Sequence, residues 1–263
     1  TEQDFYDLTM AYFKRAATQN VVYVEPFFDP QAHTVRGVDF GTVINGIHRA
    51  QGDAARTLGV ESNLIMCFLR DMSAASATEH LTLAEPFLDH IIGVGLDSDE
   101  KDNPPAKFAA VFTCARELGL KLTMHCDVNQ KDILGHIGEC LHLIDVDRID
   151  HGVNALQDDA LCNTIVERGL GLTVCPVSNR FVVQTLTCDE IRDMLRRGMK
   201  ATINSDDPAY FRAYLNENLQ ALVDEGGFSR DEITTLVRNA FDVSWLPRED
   251  RQRYVALVEA AAA

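Results

Sequence analysis

The chain has 263 residues, 46% of them hydrophobic, which suits a globular protein with a sizeable core. Its 24 Lys and Arg against 40 Asp and Glu give a formal net charge of −16, which argues against nucleic acid polymers and anionic membranes as partners. The apolar runs are too short to span a bilayer, and the opening TEQDFYDL lacks the features of a signal peptide. Seven scattered cysteines without a CxxC pair fit a reducing compartment, so we expect a cytoplasmic protein.

Short apolar runs alternate with longer amphipathic segments along the chain. Strands are predicted at 20–28, 62–69, 91–97, 121–126, 148–152, 171–176 and 200–207. Helices are predicted at 39–59, 105–119, 158–169 and 188–198. Apolar strands joined by helical crossovers form parallel sheets, so the pattern predicts an α/β fold, either a closed (β/α)8 barrel or an open doubly wound sheet. No linker divides the chain, and we expect a single domain over residues 1–263.

Polar residues cluster where the predicted strands end: Asp97, His125, His151, Asn179, Asp206 and Asp207. In a barrel these strand ends converge on one mouth, where catalytic groups sit. No Gly-rich phosphate loop follows any run, which disfavours the open sheet of nucleotide-binding proteins. Two histidines and two adjacent aspartates at the same end of neighbouring strands have the composition of a zinc hydrolase site.

Four motifs, MHCDV, RIDHGV, TVCPVSN and TINSDDPAYF, occur in this order and resemble the adenosine/adenine deaminase family of the amidohydrolase superfamily. The stretches FFDPQAHTVRGV, CFLRDMS and NSDDPAYF are similar to the adenine deaminase branch in particular. The resemblance covers essentially the whole chain. It implies a (β/α)8 TIM barrel of the metal-dependent hydrolase type, one zinc ion per subunit, and hydrolytic deamination of a 6-aminopurine, converting adenine to hypoxanthine.

The resemblance also implies roles for individual residues. His125 and Asp206 match zinc ligands, and Asp206 also matches the aspartate that accepts a proton from the attacking water. His151 matches the histidine that orients and stabilises the attacking hydroxide, and Asp207 matches the aspartate that hydrogen-bonds the purine imidazole nitrogen. Further substrate-binding residues implied by the resemblance are Leu96, Asp97, Ser98, Ser178 and Asn179.

The first departure from the family is the absence of a His-x-His pair. Family members carry it on an additional first strand, where it supplies two zinc ligands. The seven predicted runs are one short of a barrel, and a gap would leave two exposed sheet edges and only two zinc ligands. We therefore expect that the chain is N-terminally incomplete, with the first strand and two further His ligands preceding Thr1.

The second departure lies in the stretch TMHCDVNQ. The family motif His-Ala-Gly-Glu reads His-Cys-Asp-Val here, so Val128 stands where the family has the glutamate that shuttles a proton to N1. Asp127 shares a strand face with His125 if the extended backbone continues one residue further, and we predict that it is the catalytic shuttle. The alternative is that Gln130 or a water molecule takes this role.

Replacing Ala-Gly-Glu by Cys-Asp-Val must reshape the pocket near N1 and N6 of a purine. We therefore predict that N6-substituted adenines, such as cytokinin-type bases, are substrates that release an alkylamine instead of ammonia. Two alternatives stay open, an adenosine (nucleoside) deaminase and a catalytically inactive purine-binding homologue. The expected partner is a small purine, and a homo-oligomer is compatible with the sequence. Cys126 and Cys175 are interpreted as buried apolar fillers, because no second cysteine lies at ligand spacing.

Overall fold

A computed structural model describes residues 1–262 of the chain. The chain divides into two compact units, Thr1–Leu122 and Thr123–Ala263. The strands are β1 (Tyr23–Val24), β2 (Phe27–Phe28), β3 (Glu61–Ser62), β4 (Leu64–Leu69), β5 (Ile91–Asp97), β6 (Lys121–Cys126), β7 (Arg148–His151), β8 (Gly171–Val174) and β9 (Lys200–Ile203). The helices are α1 (Glu2–Ala17), α2 (Gln31–Thr34), α3 (Phe40–Leu58), α4 (Ala74–Ala84), α5 (Ala109–Glu117), α6 (Ile133–Glu139), α7 (Asp159–Arg168), α8 (Pro176–Val183), α9 (Cys188–Arg196), α10 (Pro208–Phe211), α11 (Leu215–Asp224), α12 (Arg230–Asp242) and α13 (Arg248–Ala262).

The strands of the first unit are all parallel. β1 pairs with β3, β2 pairs with β4, β4 pairs with β5, and β5 pairs with the first residues of β6. Residues 64–68 of β4 are fully buried, as expected for a strand covered on both faces.

Helix α1 packs against α3 in this unit. Gly46 lies where the two helices approach closely, since an added Cβ would clash with the carbonyl oxygen of Glu2. A small core around Met10 and Phe13 fills the interface between the two helices.

A buried ion pair anchors the segment that follows β5. Arg70 is fully buried, and its Nη1 lies 3.4 Å from Oε2 of Glu100. The Arg70 side chain also donates from Nε to the carbonyl of Asn103, and its backbone N–H donates to the carbonyl of Asp97. These contacts of Arg70 hold residues 97–103 to the end of β4. Within this segment, Ser98 has a φ of 75°, in the left-handed region.

The second unit is also built on parallel strands. β6, β7, β8 and β9 are neighbours in that order; α6 to α9 connect one strand to the next, and α10 to α13 follow β9. Helix α7 begins at the side-chain cap of Asp158 and ends at Gly169, whose φ of 64° is the left-handed conformation that favours glycine.

The predicted elements are found in the structure. Each predicted run contains a strand, and the first run contains two, β1 and β2. The four predicted helices correspond to α3, α5 with the short helical turn before it, α7 and α9. Each unit is therefore a parallel sheet with helices, which confirms the predicted α/β class, while a single domain over residues 1–263 stays a prediction. Within residues 1–262 no helix is both long and apolar enough to cross a membrane.

Candidate active site

Two histidines meet where β6 and β7 of the second unit end. His125 is the fifth residue of β6, and His151 is the last residue of β7. Their ring centroids lie 5.0 Å apart, with an angle of 64° between the ring planes. His151 is buried and the His125 side chain retains 19% of its exposure. The two strand ends therefore bring two imidazole rings into contact.

The backbone at His151 departs from the regular strand. Asp150, the preceding residue, lies beside His125, so in a regular strand the next side chain would point to the opposite face. His151 has a φ of 59°, in the left-handed region, and its ring lies beside that of His125. Asp206 shares this rare conformation, with a φ of 55°. This conformation is uncommon for residues other than glycine, and such residues cluster at functional sites.

His151 lies between two carboxylates. Its Nδ1 is 3.9 Å from Oδ1 of Asp127, and its Nε2 is 4.0 Å from Oδ2 of Asp206. Strand β6 ends at Cys126, one residue before Asp127, and the Asp127 carboxylate accepts a hydrogen bond of 2.6 Å from the N–H of Val128. The structure thus brings together the four predicted residues, His125, Asp127, His151 and Asp206, in one unit.

The donor atoms of this centre suit a zinc ion. Ligand atoms of His151, Cys175 and Asp206 all lie within 4.8 Å of one another, and His125 lies directly beside His151. Imidazole nitrogen and carboxylate oxygen are donors that zinc binds readily. Burial raises the pKa of the Cys175 thiol well above its ordinary value, and the carboxylates of Asp206, Asp150 and Asp127 raise it further. Burial and the neighbouring carboxylates therefore favour the neutral thiol in the metal-free protein.

Asp150 is a member of this centre that the sequence motifs did not single out. It is 1% exposed, its Oδ1 and Oδ2 accept hydrogen bonds from Thr173 and Thr123, and Oδ2 lies 3.5 Å from Nδ1 of His125. The signal for it was present in the sequence, since a charged residue inside the buried run RIDH requires polar partners.

The remaining predicted residues differ in their burial and local surroundings. Asp207 is exposed and directly precedes α10. Ser178 and Asn179 are buried in α8, where the Asn179 amide donates to Thr187 Oγ1 at 2.9 Å. In the first unit, Leu96 is fully buried in β5, and carboxylate oxygens of Asp97 and Asp29 lie within 4.8 Å of Cys67 Sγ and of each other. The purine contacts of Asp207, Leu96, Asp97, Ser98, Ser178 and Asn179 stay predictions.

Comparison with known proteins identifies relatives over the whole chain. The sequence profile of the adenosine deaminase family matches residues 1–261. An adenine deaminase of Caulobacter vibrioides is 48% identical over 265 residues, which cover 100% of this chain and 76% of the relative. An uncharacterized deaminase of Schizosaccharomyces pombe is 48% identical over 262 residues, which cover 99% of this chain and 77% of the relative.

Solved structures also match the whole chain. The crystal structure of an adenine deaminase from Arthrobacter aurescens has a TM-score of 0.95 and 39% identity, and the match covers 100% of this chain and 81% of that chain. An amidohydrolase from Burkhoderia ambifaria, solved with bound Zn, has a TM-score of 0.92 and 25% identity, with 100% of this chain and 74% of that chain covered. These matches confirm the predicted fold class, the α/β fold of the amidohydrolase barrel enzymes. The profile match over nearly every residue and the full-length relatives lead to one conclusion: the chain belongs to the adenosine deaminase family.

Proposed function

We propose that this chain is a zinc-dependent deaminase that hydrolyses the C6 amino group of a free adenine base, including adenines substituted on N6. The observation that carries this proposal is the position of His151 between the carboxylates of Asp127 and Asp206, with His125 beside it. The adenine deaminases among the relatives support the substrate class. All seven cysteines are free thiols, which supports a reducing compartment such as the cytoplasm as the place of action.

We assign His125 and Asp206 as the zinc ligands that this chain provides. Their donor types suit zinc, and the resemblance to the family implies two further histidine ligands. The chemistry that zinc supplies when bound is activation of a water molecule near neutral pH.

Different side chains then carry out the separate proton transfers of the reaction. Asp206 accepts a proton from the attacking water, and His151 orients that water through its Nε2, the nitrogen that faces Asp206. As the oxygen adds to C6 of the purine, Asp127 delivers a proton to N1, which removes the negative charge that would develop there. The C6–N6 bond then breaks as the proton held by Asp206 passes to the leaving amine, and the hydroxyl proton at C6 returns to Asp127, so the ring keeps the oxygen as a carbonyl. Asp207 holds the purine through an imidazole nitrogen.

The region of Asp127 supports acceptance of an N6 substituent. Val128 replaces the longer glutamate of the family motif, and its side chain is buried, 4% exposed, so it adds no polar group to the site. Asp127 is shorter by one methylene than the glutamate that it replaces. We infer that the pocket reshaped by Cys126, Asp127 and Val128 admits an alkyl group near N6.

The proposal is tested by comparing kcat/KM for adenine, adenosine and N6-alkyl adenines in the metal-loaded protein. Turnover of free bases without a requirement for ribose supports the base deaminase, whereas turnover of adenosine alone contradicts it. Release of alkylamine from an N6-alkyl adenine at a rate at least equal to that of ammonia from adenine supports the substituent proposal. A tenfold or greater preference for plain adenine, about 1.4 kcal/mol in transition-state free energy, defeats that part.

A further inference from the structure

Asp150 is a buried acid to which the proposed reaction assigns no step. Its carboxylate lies in the middle of three neighbouring strands, because it pairs in register with His125 on β6 and with Thr173 on β8. Neighbours in register on a parallel sheet point to the same face, so these three side chains form one row. A charged residue in such a row needs specific partners to offset its loss of hydration.

Two hydroxyl groups hold this carboxylate in one orientation. Thr123 Oγ1 donates to Oδ2 at 2.7 Å, and Thr173 Oγ1 donates to Oδ1 at 2.9 Å. The Arg148 guanidinium supplies a positive charge, with Nε 3.7 Å from Oδ1, while it also lies 4.2 Å over the Trp245 ring. Thr123, Thr173 and Arg148 therefore hold the Asp150 carboxylate from three sides.

The remaining side of the carboxylate faces His125. Oδ2 of Asp150 lies 3.5 Å from Nδ1 of His125, which is close enough for electrostatic attraction to an N–H at that nitrogen. A carboxylate beside Nδ1 stabilises the neutral tautomer with its proton on Nδ1, and Nε2 is then the nitrogen with a free lone pair. A carboxylate that orients a histidine in this way raises its basicity as a metal ligand.

We propose that Asp150 is a positioning residue for the zinc site, holding His125 in the tautomer and ring orientation that present Nε2 to the metal. The inference rests on the proposed function only in taking His125 as a zinc ligand. It assigns Thr123 and Thr173 a supporting role, since their hydroxyls aim the carboxylate.

The test uses the full-length protein with Asp150→Asn, Thr173→Val and Thr173→Ser. Asp150→Asn keeps the shape but removes the negative charge, and it offers one acceptor oxygen where the two carboxylate oxygens accept from two threonine hydroxyls. Thr173→Val removes one aiming hydroxyl, and Thr173→Ser restores it as the matched control. Zinc dissociation constants from competition with a chromogenic chelator should rise about 10- to 100-fold for Asp150→Asn. They should rise less for Thr173→Val and change little for Thr173→Ser.

A second readout reports on the histidine itself. Nitrogen-15 shifts of His125 in the metal-free protein should show the Nδ1–H tautomer in the wild type and a mixture of tautomers in Asp150→Asn. An Nε2–H tautomer in the wild type, or a zinc affinity of Asp150→Asn within twofold of wild type, overturns the proposal. If Asp150→Asn does not fold, as judged by its circular dichroism, Thr173→Val against Thr173→Ser decides the question. Neither readout uses a purine, so a protein that deaminates no purine yet shows both effects contradicts the proposed function alone.

Discussion

Asp127 is the residue that we propose as the acid that protonates N1 of the purine. It lies one position nearer to His125 than the family glutamate, and its carboxylate lies 3.9 Å from His151. We predict that Asp127→Ala lowers kcat by about 10²- to 10⁴-fold, because general acid catalysis at N1 is lost. Zinc content, measured by metal analysis, should be unchanged.

The control for this prediction is Asp127→Asn, which keeps an oxygen acceptor for the Val128 N–H but cannot transfer the proton. It should be as inactive as the alanine variant. Normal turnover by either variant would assign the proton transfer to another group.

Cys175 illustrates how burial decides the chemistry of a side chain. Because its surroundings raise the pKa of the thiol, we predict that Cys175→Ala keeps zinc affinity within a few-fold of wild type. Asp206→Ala, the comparison variant, should lose at least tenfold in the same chelator competition. A loss of similar size in both variants would make Cys175 a ligand.

The sequence identifies the chemical groups of the site but not their arrangement. His125, His151 and Asp206 could be predicted because they end apolar runs and stand in ordered motifs. The place of Asp150 beside His125 could not be predicted, because it depends on how β6, β7 and β8 pair, and that pairing is set by long-range register. The left-handed backbone of His151 could not be predicted either, because no local sequence pattern predicts a positive φ at a histidine.

At the scale of elements, the turn after β7 depends on Gly152. Its φ is 72°, and an added Cβ would meet Leu172 Cδ2 at 2.5 Å and Ile149 Cγ2 at 3.1 Å. We predict that Gly152→Ala lowers the free energy of unfolding by roughly 2–4 kcal/mol, the sum of left-handed strain and overpacking.

Gly169 provides the matched control, since its φ is 64° but nothing lies within 4 Å of an added Cβ. Gly169→Ala should cost only about 1 kcal/mol in urea unfolding. Equal losses in the two variants would show that crowding at the end of β7 contributes nothing.

The contact between α3 and the turn before β5 predicts a dependence on pH. His90 stacks on His48 with ring centroids 3.6 Å apart, and burial, with a smaller contribution from His48, lowers the pKa of His90 from 6.5. The nearby Asp89 carboxylate opposes this shift. The folded state thus binds fewer protons than the unfolded state, so the stabilisation is present above pH 6.5 and declines as the pH falls below it.

We therefore expect that His90→Phe, which keeps a stacked ring but cannot titrate, gains in Tm relative to wild type as the pH is lowered from about 8 to about 5. The measurement is thermal unfolding by circular dichroism across this range. A difference in Tm that does not change with pH would exclude His90 as a source of acid sensitivity.

Element positions were more predictable than the packing between elements. Strands such as β4 and β5 appear in the sequence as continuous apolar runs because both faces are buried. Helix α1 was not predicted, although its Thr1 cap and its acidic first turn are typical start signals. Few of its residues are buried, Met10 and Phe13 among them, and these pack against α3. The helix therefore lacks the long apolar stripe by which an amphipathic helix is predicted from sequence.

At the scale of the whole molecule, the net charge of −16 makes a simple prediction. The protein should not be retained on immobilised heparin at about 50 mM salt, because a polyanion is repelled by a strongly acidic surface. Retention that disappears as the salt concentration rises would reveal a local basic patch that the net charge conceals. A basic protein of similar size, run under the same buffer conditions, serves as the positive control.

The left-handed backbone of His151 and Asp206 also limits how the family can diverge. Any replacement at these two positions must supply suitable chemistry and tolerate a φ of 59° or 55°. Gly, Asn, Asp and His adopt this conformation at the lowest cost, so most other side chains carry a backbone penalty there whatever their reactivity. New activities in descendants of this chain should therefore arise by substitution around these two positions, with the pair itself carried unchanged from ancestor to descendant.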